Sequence, residues 1–416
     1  MKTLLSALLL AGLTTGYAQS ISFDFESATA GMQGYDGATF TVVPNPSSVG
    51  NPSANAAKIV KVNAGDLWAG GKLTGLPALN FSAASSSVLS IKVFTQEPVG
   101  TVIKVKLESP YTGEVDAVTT VSGAWETLLF DFGIPACTGS ADLVLMPQPF
   151  TAGGGKTFYF DDIQQVAGTI ATPLAGLPLT FETGATADHF FSFESAQLNV
   201  VPNPQVTAGN PSATVAKLVR YLGAPYGGSK ITFAQPIDFT ADSEISMKVW
   251  TSAPVGTPVT LKAEKPFWGV ERSVQTTQSG QWETLTFDFA GSLNDMPTLA
   301  FLFDFVAGSS QVGNGSAQST FYFDDVRFAS TLASEELRGR SIAVRPNPTA
   351  NRWTVDGSFG AEWDVKLFDL HGTLLAEYHS PDGSPLEVDA TAFPSGMYWA
   401  RLAGQGEFQT VKLVKQ

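Results

Sequence analysis

The chain has 416 residues, a formal net charge of −14, 44% hydrophobic residues, three histidines and one cysteine, Cys137. The negative charge repels phosphate backbones and no basic stretch interleaves with aromatics, which excludes nucleic acid as a partner. A lone cysteine excludes an intramolecular disulfide, so stability is expected from core burial or metal, and the apolar content suffices for domains of ordinary size.

In chain order, residues 1–18 read as a secretory signal. Lys2 supplies the positive start, Leu4 to Leu13 the apolar run, and Gly16-Tyr17-Ala18 the small-residue cleavage site before Gln19. That run is shorter than the ~20 residues of a membrane span, and no later segment is apolar enough, so no transmembrane segment is expected. Residues 19–167 form a first repeat in which strand signals dominate. Ile103-Lys104-Val105-Lys106-Leu107-Glu108 alternates apolar and charged side chains, as a half-buried strand does. Residues 168–176 read as a linker and 177–329 as a second repeat, where Val259 to Glu264 and Leu285 to Phe289 alternate in the same way. Gly, Pro, Asn and Ser clusters separate the strands, and no long 3.6-residue period appears. A second linker at 330–340 leads to a distinct domain at 341–416. The predicted fold class is all-β: two tandem β-sandwich or jelly-roll domains, then a small C-terminal β-sandwich.

The repetition is explicit. Trp125 to Phe132 reads WETLLFDF and Trp282 to Phe289 reads WETLTFDF; Thr157 to Ile163 reads TFYFDDI and Thr320 to Val326 reads TFYFDDV. Further pairs join Val43-Pro44-Asn45-Pro46 to Val201-Pro202-Asn203-Pro204, and Lys92-Val93-Phe94-Thr95 to Lys248-Val249-Trp250-Thr251. The offset of about 156 to 163 residues is far beyond solenoid periods of ~20–50. Each copy is expected to fold as an independent unit of ~150 residues.

The last domain contains Pro346-Asn347-Pro348, Leu370-His371-Gly372, Ser395-Gly396-Met397-Tyr398 and a terminal Lys412-Leu413-Val414-Lys415. It resembles the type A C-terminal sorting domain of the type IX secretion system of Bacteroidota. The resemblance implies contact with the type IX machinery, export across the outer membrane, removal of the domain, and release or attachment at the cell surface.

Phe23-Asp24-Phe25-Glu26 and Phe181-Glu182 open the copies; Asn45-Pro46…Gly50-Asn51-Pro52-Ser53 and Asn203-Pro204…Gly209-Asn210-Pro211-Ser212 follow. Leu67-Trp68-Ala69-Gly70-Gly71 and Pro225-Tyr226-Gly227-Gly228 come next, and Tyr-Phe-Asp-Asp closes each copy. In these motifs the repeats resemble the galactose-binding-like β-sandwich carbohydrate-binding modules. The resemblance implies a polysaccharide ligand, a β-glucan, xylan or other plant or algal glycan.

The histidines are His189, His371 and His379, and the first repeat has none. A Ser-His-Asp or Cys-His arrangement or a His-based zinc site shared by both copies is therefore excluded. A glycosidase needs only two carboxylates ~5–10 Å apart. Glu108 with Glu114, and Glu264 with Glu271, are the best candidates, although their alternation reads first as a solvated strand face.

Binding a pyranose needs an aromatic ring for its C–H face and polar groups for its hydroxyls. Trp68 and Tyr226, in Gly-rich loops, are the first candidates, against a structural role covering the core edge. Ala69-Gly70-Gly71 is expected to let the backbone approach the ligand. Tyr111 and the Phe267-Trp268 pair, after the Ser109-Pro110 and Lys265-Pro266 turns, form a second set, and Lys106 and Lys262 are candidate hydroxyl partners. Trp125 and Trp282 are expected in the sandwich core. Phe94 and Trp250 are left as core or groove wall.

At the repeat ends, Glu26 is expected near Asp161-Asp162 and Glu182 near Asp324-Asp325. Gathered carboxylates without histidine suit Ca²⁺, with its 6–8 oxygen ligands; the resembling modules commonly hold a structural calcium there. Strand alternation favours Asp162 and Asp325 as direct ligands beside Glu26 and Glu182. The leading expectation is a secreted, non-catalytic glycan-binding protein. A hydrolase or lyase on the same sandwich, or an adhesin with a protein ligand, are the rivals.

Overall fold

The computed structural model describes residues 21–329 and 342–416, apart from 28–30, 63–64, 293, 311, 358–361, 371–372 and 405–406. The expected signal segment, the 330–340 linker, His371 and Gly372 lie outside the described residues. The protein is all-β, built from paired sheets.

In the first repeat, one sheet runs in spatial order Met32–Tyr35, Gly70–Leu73, Asp142–Pro147, Val102–Glu108 and Gly113–Val118. We call it the groove sheet. The other, the outer sheet, runs Ala38–Pro44, Asn55–Lys61, Lys156–Val166, Val88–Thr95 and Trp125–Asp131, with Ser22–Phe23 paired to Lys156–Val166. Every pairing is antiparallel. Alternation divides the side chains as the sequence foretells. Ile103, Val105 and Leu107 meet Ile91, Val93, Phe130, Phe158 and Phe160 in the core. Lys104, Lys106 and Glu108 stand on the opposite face.

The second repeat repeats this order. Its groove sheet is Phe190–Phe193, Gly228–Thr232, Thr298–Phe303, Pro258–Lys265 and Trp268–Gln275; its outer sheet is Ala196–Pro202, Thr214–Arg220, Thr320–Phe328, Glu244–Thr251 and Glu283–Asp288. Stacked rings such as Phe301–Phe323 at 4.6 Å and Phe303–Phe321 at 4.8 Å fill its core.

The chain divides into two compact units, one up to Arg327 and one from Phe328. Both sandwiches lie within the first unit. The edge strand Gly113–Val118 packs against Phe190–Phe193 and Ala196–Pro202, and Phe191 packs on the first core. The 168–176 segment is tied at both ends: Gly168 N donates to Ala84 O, and Ala234 N donates to Leu174 O, each at 2.8 Å.

The second unit is a small sandwich of its own. Ile342–Arg345, Arg352–Gly357 and Leu386–Asp389 form one sheet; Leu374–Ser380, Trp363–Phe368, Gly396–Gly404 and Glu407–Lys415 form the other. Trp353, Trp363, Val365, Tyr398 and Leu402 are buried between them.

Candidate functional site

A groove of about 520 Å³ crosses all the strands of the first groove sheet, lined by Tyr35, Lys72, Val144, Lys106 and Glu114, one from each. Its floor is a chain of ion pairs. Lys72 Nζ lies 2.9 Å from Glu108 and 3.0 Å from Asp142, and Lys106 Nζ 2.8 Å from Glu108. Hydrogen bonding from Lys106, reinforced by Lys72, holds the Glu108 carboxyl below the usual range. A carboxylate so held is a hydrogen-bond acceptor and a poor general acid, since glycoside hydrolysis requires one carboxyl with a raised pKa. Trp68 stands at the lip, 39% exposed, its ring 4.2 Å from that of Phe150.

The glycines after Trp68 have another reason than ligand approach. A Cβ on Gly70 would lie 2.3 Å from Leu145 O, and one on Gly71 2.7 Å from the Phe40 ring. They admit close packing within the sandwich.

A residue that sequence reasoning missed positions the aromatic lip. Lys61 is fully buried, and its Nζ donates to Leu67 O (3.3 Å), Pro147 O (3.2 Å), Gln148 O (2.9 Å) and Thr151 O (2.9 Å). It thus ties the loop of Trp68 to the loop of Phe150. Burial, with Lys156 nearby, lowers its pKa from 10.5 to about 8. Arg220 occupies the same place in the second repeat, donating to Asp304 O at 2.8 Å and to Pro225 O, next to Tyr226, at 2.5 Å. The signal was present in the sequence. Lys61 shares parity with Ala57 and Ile59, and Arg220 with Ala216 and Leu218, so each is a cation on a core-facing strand position.

The second groove, about 560 Å³, crosses its sheet in the same way, past Phe193, Lys230, Ala300, Lys262 and Glu271. Here too Glu264 accepts from Lys230 (3.3 Å) and Lys262 (3.3 Å). Tyr226, 47% exposed, takes the place of Trp68. The structure separates Tyr111 from Trp268, which the sequence paired. Tyr111 lines the same cavity as Tyr226, under the Lys106 ammonium at 5.4 Å. Trp268 lines a cavity at the far edge with Phe267 and Lys265, whose ammonium lies 5.5 Å from its ring.

Between the grooves the repeats meet through buried charges. Lys104 Nζ lies 2.6 Å from Glu114, 3.2 Å from Asp116 and 3.5 Å from Glu194. Asp116 Oδ2 accepts from Ser195 N at 2.6 Å, and Asp116 O from Gln197 Nε2 at 2.8 Å. Burial opposes the charge on Lys104, but the carboxylates of Asp116, Glu114 and Glu194 outweigh it and raise its pKa. One ammonium cannot satisfy three carboxylates, so burial pushes the Asp116 and Glu194 carboxyls up as well.

The carboxylates at the repeat ends are placed differently from what strand alternation predicts. Asp162 and Asp325 have positive φ (45° and 54°), and the strand register shifts between Asp161 and Gln164. The positive φ of both residues, with a bulge in the first repeat, breaks the strand alternation there. Asp162 pairs with Lys92 at 2.7 Å, and Asp325 with Lys248 at 3.2 Å and with Arg327. The buried carboxylates are Asp161 and Asp324 instead. Asn51 Nδ2 donates to Asp161 at 2.6 Å, whereas Asn210 Nδ2 and Asp324 Oδ2 are buried without a hydrogen bond. Burial pushes both carboxyls up, and Glu182 repels Asp324 further. Glu26 Oε1 accepts from Ala54 N at 2.7 Å and Glu182 Oε1 from Thr214 N at 3.3 Å. Among the described residues no three His, Cys, Asp or Glu side chains gather as a metal-binding group. A cation here would rest on one buried Asp, its neighbouring Glu, and amide or backbone oxygens.

Trp125 is buried, but in a small cluster outside the main core: Leu128 and Phe130 take the core side of its strand, and Trp125 packs with Ala56, Phe94 and Tyr159. Its indole donates to Asn45 Oδ1 (3.1 Å) and Ser47 O (2.9 Å), while Asn45 Nδ2 closes the loop on Asn51 O and Ser53 O. Trp282 binds Asn203 and Gln205 in the same way. Phe94 and Trp250 belong to this outer-face clamp and to neither groove, as the Trp250–Tyr322 contact at 5.4 Å confirms.

Residues 343–416 match the family model described as the secretion system C-terminal sorting domain. This is a sorting tail. It marks the chain for type IX secretion and places the protein outside the cell or at its surface. No helix among the described residues is long and apolar enough to cross a membrane. No curated protein matches the chain. Similar solved structures include the CBM22-1–CBM22-2 tandem domain of Paenibacillus barcinonensis Xyn10C, at 16% identity and TM-score 0.26 over 74% of this chain and 95% of that one. Another is Caldicellulosiruptor saccharolyticus CBM27-1 in complex with mannohexaose, at 14% identity and TM-score 0.26, covering 36% and 98%. A third is the Clostridium thermocellum Xyn10B CBM22-1–GH10 modules with xylohexaose, at 16% identity and TM-score 0.25, where the match spans 35% of this chain and 28% of that one.

Proposed function

We infer that the exported protein binds polysaccharide without cleaving it. One observation carries this reading: each repeat has a groove across its whole sheet, with an exposed aromatic at the lip and Lys–Glu pairs along the floor. The aromatic offers a face to C–H bonds, and the paired carboxylates and ammoniums offer acceptors and donors to hydroxyls. Trp68, Tyr226, Tyr111, Lys106 and Lys262 serve in this role; Trp268 contributes at the far edge of the second groove. Glu108 and Glu264 are bridged on both sides by lysines, which suits hydroxyl recognition better than proton transfer.

Retardation of the full chain in gels containing xylan, mannan or laminarin, with no release of reducing ends, tests this function. Release of reducing ends would establish the hydrolase reading. Trp68→Ala combined with Tyr226→Ala is expected to abolish retardation, and undiminished retardation would refute the stacking assignment. The reading extends to structural Ca²⁺ held by Asp161 with Glu26 and by Asp324 with Glu182. The orphaned Asp324 Oδ2 supports the second site. Chelation with EDTA should lower the melting temperature, and an identical melting curve would refute a bound metal.

A further inference from the structure

The two grooves have a relation that two separate modules would lack. Gly113–Val118 is the last strand of the first groove sheet and Phe190–Phe193 the first strand of the second, and these edges pack together. Glu114 and Glu194, one from each repeat, line both cavities. Tyr111 and Glu114 of the first repeat also wall the cavity that contains Tyr226, Lys262 and Glu271 of the second. The second groove is therefore incomplete without the first repeat.

We propose that the two grooves are halves of one continuous trough that binds a single linear, neutral glycan chain across both repeats. This rests on the glycan-binding reading above. Each groove runs across its five strands, roughly 20 Å at ~4.8 Å per strand, so two abreast give a trough of about 40 Å. The seam is built to keep its alignment. Lys104 is buried among carboxylates of both repeats, Asp116 binds the Ser195 amide, and the linker is hydrogen-bonded at both ends. The charge at the seam selects the ligand class. One ammonium faces three carboxylates, so an anionic polymer meets repulsion midway, while hydroxyls of a neutral glycan find acceptors in Glu114 and Glu194.

Calorimetric titration of the full chain with xylan, mannan and laminarin oligosaccharides of increasing length tests the proposal. Stoichiometry should fall from two short oligosaccharides per chain to one long one, with affinity rising about a hundredfold as the ligand spans the seam. Trp68→Ala and Tyr226→Ala should each weaken the long ligand by about tenfold or more while one ligand still binds per chain. Two long ligands per chain, each removed by one substitution and untouched by the other, would overturn the trough while leaving glycan binding intact. No binding at any length would overturn both. Equal affinity for oligogalacturonate would refute the charge selection. The stoichiometry of the unaltered chain decides between trough and separate sites even where a variant fails to fold.

Discussion

The two repeats share a scaffold and differ at one strand position that decides how they join. Lys104 lies opposite Asp116 in the first repeat; in the second, Thr260 lies opposite Ser273, their hydroxyls 3.0 Å apart. The first repeat carries its charge cluster on the edge that meets a neighbour. The second carries neutral hydroxyls at the equivalent positions. Duplication thus supplied two copies of a groove, and divergence at a few edge residues made the pair asymmetric. The lip cation diverged too: Lys61 and Arg220 do the same work with different chemistry.

Removing Lys104 should break this asymmetry with the largest effect. Lys104→Met leaves the buried Asp116 and the half-buried Glu114 and Glu194 without their counter-charge, and loss of one partner from a buried pair costs about 3–5 kcal/mol. Thr260→Val should cost about 1 kcal/mol or less. Urea unfolding of the full chain measures both, and equal losses would show that the seam charges do not hold the repeats together.

A smaller effect is expected at the lip. Lys61→Met orphans several carbonyls and should cost about 2–3 kcal/mol, with a shift in Trp68 fluorescence as its loop loosens. Arg220→Met should cost a similar amount without that shift. An unaltered Trp68 environment in the Lys61 variant would remove its positioning role.

A pH dependence also separates the repeats, since only the first carries a lysine at this place. The folded pKa of Lys61 is about 8, below the ordinary 10.5, so between these values the unfolded chain binds more protons than the folded one. Stability should therefore rise as pH increases from 8 to 10.5 and level off above. Arginine stays protonated throughout this range, so Lys61→Arg should abolish the rise. A rise that persists in Lys61→Arg would assign it to another group.

Much of the candidate site's placement was legible because strand alternation is a local rule. Lys106, Lys262, Glu108 and Glu264 fall on one face by parity alone, and Trp68 and Tyr226 stand out in Gly-rich loops. Parity failed where the backbone departs from a regular strand: at the positive-φ residues Asp162 and Asp325 the side chains turn to lysines, and Asp161 and Asp324 are the buried ones. Alternation also fails to say which of two faces is the main core, and Trp125 is buried in a separate cluster on the other one. Its alternating neighbours Leu128 and Phe130 hold the core, while the indole closes the Asn45 loop outside.

By itself the sequence determined an all-β chain with a duplicated sandwich, polar strand faces with aromatic lips, and a separate C-terminal domain bearing sorting motifs. Each of these follows from periodicity, turn chemistry or a contiguous motif, which neighbouring residues encode together. Only the tertiary structure decided that Tyr111 of one repeat faces the groove of the other, and that Lys104 is buried between Asp116 and Glu194. Those contacts join residues far apart in the chain, and a charged strand residue reads alike in sequence whether water or a second domain covers it.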